Sequence, residues 1–235
     1  MAAYTEYISS ILIFILAFTA SEDGTSNKHV NYDAHHINLK VSSYSNDPDE
    51  VPTHRHRFLG IVSSPDQSAE GQAEDLVEQI DDVLKIYNKG PLAKQSGHFM
   101  RLVKAISLLK GINTDHCSKE KKFSNIMKSK VVDAVHELLG ETEVLEKSWE
   151  EIDILFDKAR DDMIDKAGGQ DAWEALPEAE QALQHAIMLK QTLISLGEDK
   201  YAEMSEEEQR ELDFLFGLVV DVIKISTQFL EAIHQ

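Results

Sequence analysis

The thirty residues from 205 to 234, next to the end of the chain, constrain its fold more than any other stretch. Ser205 is followed three positions later by Glu208, the pattern of a helix capping box. Beyond it, large apolar residues recur every three or four positions and also fill much of the opposite face. Three charged residues between 213 and 224 interrupt the run too often for a membrane span, which needs about 20 largely uncharged residues. The pattern therefore predicts a central helix that other helices surround.

Five amphipathic segments precede this helix, and each ends at a glycine, the residue expected just past a helix end. They cover Ala69–Asn88, Leu92–Lys110, His116–Leu139, Thr142–Ala167 and Pro177–Leu196, with an extra turn predicted at Asp171–Ala175 and glycines at 90, 111, 140, 168 and 197. In the fourth and fifth segments the side chains predicted to face the core are Leu145, Trp149, Ile152, Leu155, Phe156, Ala159, Met163, Ala179, Leu183, Ala186, Ile187 and Ile194. Because the connections are short, successive helices should be antiparallel neighbours.

The amino terminus has the pattern of a secretory signal peptide. Residues 8–20 are predominantly apolar, too short to span a bilayer comfortably, and small residues follow them. Cleavage after Ser21 would leave Thr19 and Ser21 at the two small-residue positions. The region before residue 8 lacks Lys and Arg and contains Glu6, which departs from the usual pattern. The alternative interpretation of this apolar run is a buried strand or the start of a helix.

Residues 22–68 show no sustained helical or strand period and are rich in Ser, Asn, Asp and Pro, which predicts a mostly disordered arm. Within it, Val30–Val41 is a candidate short strand, and the alternative is a segment packed loosely on the bundle. Histidines cluster here: His29, His35, His36, His54 and His56. Deprotonated imidazoles bind Zn²⁺ or Cu²⁺, although their spacing matches no closed site. A solvated arm that gains charge below about pH 6.5 is the favoured interpretation, and no metal site is assigned.

The segment Arg57-Phe58-Leu59-Gly60 is similar to the R-x-L export motifs of oomycete effectors and malarial exported proteins. Three positions match, one of them unconstrained. Gly60 stands where the oomycete motif has Arg, Ile61 stands where the malarial motif has an acidic or amide residue, and no D-E-E-R run follows. The match is too short to assign a family. The alternative is a linker segment packed on the bundle.

The net charge and its distribution narrow the range of possible partners. The net charge of −19 argues against nucleic acid or an anionic membrane as the main partner. Residues 85–130 carry eleven basic and two acidic side chains, a balance of +9, whereas residues 131–235 have a balance of −18. These regions either neutralise each other within the bundle or leave a basic patch for an acidic partner.

The single cysteine, Cys117, allows no intramolecular disulfide, and a buried or inert thiol is favoured over a functional one.

No motif of catalysis or cofactor binding is complete. The zinc-protease pattern that begins at His136-Glu137 has Gly140 where the second histidine belongs. Two acid-x-x-His pairs, Asp133–His136 and Glu231–His234, resemble half of a carboxylate-bridged di-metal site, but the first has Asp in place of Glu and both lie off the inward stripes. We therefore predict a protein without enzymatic activity, with no catalytic, cofactor-binding or metal residues and no cofactor.

The resulting prediction is an all-α protein: an antiparallel bundle of about six helices around a buried C-terminal helix. The predicted divisions are a signal peptide at 1–21, a disordered arm at 22–68 and a bundle domain at 69–235. The predicted function is that of a secreted effector or extracellular factor acting by protein–protein interaction. The alternative function is carriage of an apolar small molecule or lipid between helices. No nucleic-acid partner and no stable membrane insertion are expected.

Overall fold

The computed structural model describes residues 18–27, 30–41, 53–63, 68–97, 99–113 and 118–216. The strands are β1 (Phe18–Asn27), β2 (Val30–Val41), β3 (Thr53–Ser63) and β4 (Leu109–Asn113). The helices are α1 (Ala69–Lys89), α2 (Pro91–Ser96), α3 (Leu102–Ser107), α4 (Ser118–Glu146), α5 (Trp149–Lys166), α6 (Gln170–Glu174), α7 (Glu178–Glu203) and α8 (Glu206–Phe216). Most of this described part is helical, and none of its helices is long and apolar enough to cross a bilayer.

The chain forms two compact units, one comprising residues 1–131 and 212–235 and the other residues 132–211. The first unit contains a four-stranded mixed sheet in the order β3-β2-β1-β4. Strand β1 pairs antiparallel with β2 and parallel with β4, and β2 pairs antiparallel with β3. Helix α1 packs against β3, α2 and α3. Buried apolar side chains of this unit include Phe18, Leu76, Leu109, Phe123 and Met127.

The all-α prediction, with a disordered arm ahead of the bundle, is therefore wrong. Three strands occupy residues assigned to the signal peptide and the arm. The candidate strand at Val30–Val41 is confirmed by β2, whereas the sequence pattern does not predict β3 or most of β1. The strand pattern is weak in β1 because residues 21–27 are all polar or glycine, and in β2 because polar residues face inward: Asp33 is 5% exposed and His35 is fully buried. Strand recognition depends on alternation of apolar with polar residues, and a polar inward face removes that contrast.

The predicted signal peptide overlaps β1. Residues 1–17 lie outside the described residues, and residues 18–21 form the first four positions of the strand. Phe18 and Ala20 are almost fully buried there, between β2 and β4. This agrees with the alternative interpretation of a buried strand at the end of the apolar run. Because cleavage after Ser21 would remove both buried side chains, the signal peptide stays a prediction that conflicts with this strand.

The second predicted helix is also wrong, because its residues divide into α2, α3 and β4. Gly97 ends α2 in the left-handed conformation, with φ of 69°. Between α2 and α3, the Asn88 side chain makes two hydrogen bonds with the backbone of Met100, at 2.8 and 2.9 Å. These bonds satisfy backbone groups that a continuous helix would have paired. The region therefore folds as short elements around the end of α1.

The glycines behave in two different ways. Gly90 and Gly168 follow the ends of α1 and α5, as predicted, and Gly168 adopts a positive φ of 102°. Gly111 instead lies within β4, and Gly140 and Gly197 lie inside α4 and α7. Both of these helices continue for six residues beyond the glycine that was predicted to end them. A mid-helix glycine is unfavourable by itself, so these two positions need a packing reason.

The C-terminal helix begins as predicted. The Glu208 backbone N–H donates to Ser205 Oγ at 3.3 Å, and the Ser205 backbone N–H donates to Glu208 Oε2 at 2.9 Å. This reciprocal pair completes the capping box. Helix α8 is described to Phe216, and Leu212 on it is buried. The remainder of the predicted central helix, residues 217–235, lies outside the described residues.

Candidate functional site

The second unit, in which every residue is described, places α5 beside α7 through a tight reversal. The Ser148 and Glu151 capping box begins α5, with backbone-to-side-chain hydrogen bonds of 2.9 and 3.3 Å. Gly168 and Gly169, both at positive φ, then turn the chain into the single-turn helix α6. After Pro177, α7 runs back along α5. The extra turn predicted at Asp171–Ala175 is confirmed by α6.

A groove of about 660 Å³ lies between α5 and α7 and is closed at one end by α6. The apolar lining is contributed by Leu155, Ala159, Met163, Trp173, Leu176, Ile187, Met188 and Leu196. The charged lining residues are Lys158, Asp162, Lys166, Glu180 and Asp199. On α7 the lining extends from residue 180 to residue 199, a length of about 28 Å at 1.5 Å per residue. The groove is therefore long, and its apolar residues, here called its floor, alternate with the charged ones and with Gln184, Gln191, Thr192 and Ser195.

Trp173 fixes the closed end of the groove. Its ring is 7% exposed and meets the His185 ring edge-on, with centroids 5.1 Å apart. The Gln181 side-chain amide donates to the backbone carbonyls of Trp173 and Leu176, at 3.2 and 3.0 Å. These bonds satisfy carbonyls at the end of α6 and attach that turn to α7. The end wall is thus held by side chains from the adjacent helix.

The opposite face of α7 crosses α4 at close range, at the two glycines that the sequence placed at helix ends. A Cβ built on Gly140 would lie 1.9 Å from the Leu193 carbonyl oxygen, and one on Gly197 would lie 1.8 Å from the His136 carbonyl oxygen. Each glycine therefore faces the backbone of the other helix. Only glycine permits this approach, because any Cβ would overlap the opposing backbone.

Ion pairs border this crossing. Lys200 Nζ lies 2.8 Å from Glu143 Oε2, and Lys147 Nζ lies 3.2 Å from Glu143 Oε1. Hydrogen bonds from Lys200 and then Lys147 hold the pKa of the Glu143 carboxyl below its ordinary value. The same contact with Glu143 raises the pKa of Lys200. Because Glu143 and Lys200 are on different helices, their pairing links α4 to α7 directly.

Much of the apolar stripe predicted to form a core is exposed in this unit. Leu145 and Trp149 are 79% and 81% exposed, and Leu183 is 58% exposed. Other large apolar side chains on the surface of the unit are Val132, Ile154, Ile187 and Leu189. Of the inward residues predicted in the fourth and fifth segments, Met163 is buried. The predicted bundle core is wrong at these exposed positions, because the unit's own helices leave one side of each stripe uncovered.

The predicted histidine cluster does not converge. Among the described residues, no three His, Cys, Asp or Glu side chains lie together in a metal-binding arrangement. His35 is buried beneath α1 with its Nδ1 3.0 Å from Gln79 Oε1, whereas the His36 ring meets Phe58 at 5.2 Å. Burial lowers the pKa of His35. His29 lies outside the described residues, and His54 and His56 are placed as backbone positions in β3.

The other predicted features are dispersed. Arg57–Gly60, the export-like segment, is part of β3, where Phe58 is 56% exposed. His136 lies at the α4–α7 crossing, 3.8 Å from Glu198, and its ring is tilted by 54° against that of Tyr201, with centroids 5.7 Å apart. Cys117 and the Glu231–His234 pair lie outside the described residues. The predictions that the Cys117 thiol is buried or inert and that Glu231–His234 forms no metal site therefore stay predictions.

The first unit contains a small apolar cavity, a buried lysine, Lys110, and a half-buried one, Lys104. The cavity has a volume of about 110 Å³ and is lined by Phe18, Ile37, Leu59, Ile80, Val83, Leu84, Met100, Ala105 and Leu108. Burial lowers the pKa of Lys110 to about 8 and also lowers the pKa of Lys104. Sequence analysis missed these features, because burial of a lysine or an enclosed space depends on packing rather than on residue type.

The comparisons with known proteins add no relative. No protein-family model, no curated protein and no solved structure matches this chain.

Proposed function

We propose that the chain acts by protein–protein interaction, and that the groove between α5 and α7 receives a helix from its partner. The single observation that carries this proposal is the exposed apolar stripe of the second unit. Ile187, which lines the groove, is 40% exposed, and Trp149, Leu145 and Ile154, which lie outside its lining, are all at least 70% exposed on the same charged unit. Exposed apolar surface of this kind is typical of interaction sites, and tryptophan is frequent among residues that dominate binding energy.

The shape of the groove favours a helix over a compact ligand. A length of about 28 Å accommodates about five turns of an α-helix, which would place a row of apolar side chains along the floor. Met163 and Met188 line that floor, and methionine side chains adjust their shape to different partners. The charged lining residues would then contact the polar edges of the incoming helix.

The alternative function, carriage of an apolar small molecule, is supported by the cavity in the first unit. All of its lining side chains are apolar. Its volume of about 110 Å³ lies below the roughly 300–1,000 Å³ of ordinary ligand sites. It would accept a small apolar group and not a lipid. Protein binding is therefore the stronger proposal.

Secretion and the lack of enzymatic activity stay predictions from the sequence. Secretion depends on the apolar run at residues 8–20 and conflicts with the burial of Phe18 in β1. Determining the first residue of the protein isolated from its source decides this point: a start at residue 22 supports export, whereas retention of Phe18 supports the strand.

Photo-crosslinking from two neighbouring positions tests the groove. A photoreactive phenylalanine analogue replaces either Ile187, which lines the groove and is 40% exposed, or Leu189, which does not line it and is 44% exposed. After irradiation in extract from the source organism, we expect a protein adduct from position 187 and none from position 189. Equal adducts from both positions, or only a small-molecule adduct, would contradict the proposal.

A further inference from the structure

The charge of the second unit identifies the chemistry of its partner. Residues 132–211 contain 23 acidic and seven basic side chains, so this unit has a net charge of −16 and carries most of the chain's −19. A field of this size accelerates association with positively charged molecules and opposes association with negatively charged ones. It also disfavours a second copy of this chain in the groove, because the two acidic units would repel each other.

The charged residues that line the groove are distributed unevenly along its length. Glu180 and Asp199, on α7, lie at its two ends, about 28 Å apart along the helix. On α5, Asp162 lies between Lys158 and Lys166, so the five charged lining residues include three acids. Between these acidic ends, apolar lining residues of α7 (Ile187, Met188 and Leu196) alternate with uncharged polar ones (Gln184, Gln191, Thr192 and Ser195). A complementary helix therefore has an apolar stripe at its centre and basic residues near both ends.

We infer that the groove between α5 and α7 binds a basic amphipathic helix of another protein. This inference rests on the proposed function and adds the charge of the partner's polar face. The lysines that α5 contributes to the lining are compatible with such a partner, since their aliphatic stems can cover the edge of its apolar stripe while their ammonium groups turn to solvent.

Three synthetic peptides test the inference on the full chain. Each has about 20 residues, enough to fill the groove, and the same leucine positions at helical spacing. Their remaining positions are lysine, glutamate or glutamine. We expect the lysine peptide to bind and to shift the methyl NMR signals of Met163 and Met188, which line the groove, without shifting that of Met127 in the first unit. Its affinity should fall about tenfold or more between roughly 0.05 M and 0.5 M salt.

Two matched variants locate the binding. Ile187→Asp should weaken binding of the lysine peptide by about tenfold or more, because it places a charge on the apolar floor. Leu189→Asp makes the same change at similar exposure on the same helix, outside the lining, and should leave the affinity unchanged within about twofold. Equal loss in both variants would place the binding elsewhere and overturn the inference.

The peptide series separates this inference from the proposed function. If the glutamine or glutamate peptide shifts Met163 and Met188 at the same concentrations as the lysine peptide, the partner's basic character is refuted and the helix-binding groove survives. If no peptide shifts these signals, both proposals fail. Concentration-dependent shifts of the two methionines without peptide would identify a second copy of the chain as the occupant and would also refute the inference.

Discussion

Replacing Gly197 with alanine tests whether the α4–α7 crossing holds the second unit together. The added methyl group would lie 1.8 Å from the His136 carbonyl oxygen, whereas ordinary contact begins near 3.4 Å. The two helices must therefore separate by about 1.6 Å at this point, because packed interiors have little free space to absorb the change. The obstacle is backbone rather than the movable end of a side chain.

Two opposing terms set the size of the effect. At an exposed helix position alanine is more favourable than glycine by about 1 kcal/mol. Overpacking a close contact costs about 1–3 kcal/mol, and the upper end applies here because both obstructing groups are backbone. The Lys200–Glu143 ion pair, 2.8 Å long between the same helices, would lengthen as well. We expect a net loss of about 1–2 kcal/mol in the free energy of unfolding.

Tryptophan fluorescence during urea unfolding measures this loss. Both tryptophans of the chain, Trp149 and Trp173, are in the second unit, and Trp173 is buried, so the signal reports on that unit. With a slope of about 2 kcal/mol per molar urea, the midpoint should fall by roughly 0.5–1 M. Ala186→Gly, at an exposed position of α7, is the control and should lose about 1 kcal/mol through helix propensity alone.

The combination of variants sharpens the test. The protein should thus be more stable to unfolding with alanine than with glycine at position 186, and less stable with alanine than with glycine at position 197. A Gly197→Ala protein as stable as the parent would refute the close crossing. Gly140→Ala should behave like Gly197→Ala, since its Cβ would lie 1.9 Å from the Leu193 carbonyl oxygen. The double variant should lose less than the sum of the single losses, because one separation of the helices relieves both overlaps.

Four further predictions concern individual contacts. Ser148→Ala removes the capping box of α5 and should cost about 1 kcal/mol in the same fluorescence assay, whereas an unchanged midpoint would contradict the cap. Glu143 has a lowered pKa in the folded state, so its stabilisation is present above its ordinary value of 4.5 and is lost as pH falls through the folded pKa; Glu143→Gln should weaken the acid dependence of the urea midpoint. His35 has a pKa lowered by burial, so the unfolded state binds the proton more readily and stability falls as pH drops below 6.5; calorimetric melting at about pH 5 and pH 7.5 should show a smaller difference in His35→Gln. Phe18→Ala should destabilise the first unit by about 3–5 kcal/mol, measured by calorimetry, and a negligible change would show that the β1 core contact is absent.

Local sequence determined the parts of the structure that depend on residues three or four positions apart. The capping box of Ser205 and Glu208, the end of α1 at Gly90 and the turn at Gly168 all follow from hydrogen bonds and dihedral angles within one helical turn. Such contacts form between neighbours in the chain, so their residue types are sufficient to predict them. The same holds for the helical character of most of the second unit.

Tertiary contacts decided whether each local sequence pattern became a helix end, a strand or a covered helix face. Gly140 and Gly197 have the residue type of a helix end, yet they lie within α4 and α7, because each meets the backbone of a helix more than fifty residues away in sequence. The inward-facing Asp33 and His35 of β2 belong to a strand because two neighbouring strands pair with its backbone. Helical spacing likewise predicted apolar stripes on two helices, one containing Trp149 and the other Ile187. Spacing shows only which residues share a face of a helix. Whether another helix covers that face depends on packing over the whole unit, and that packing leaves a groove between α5 and α7.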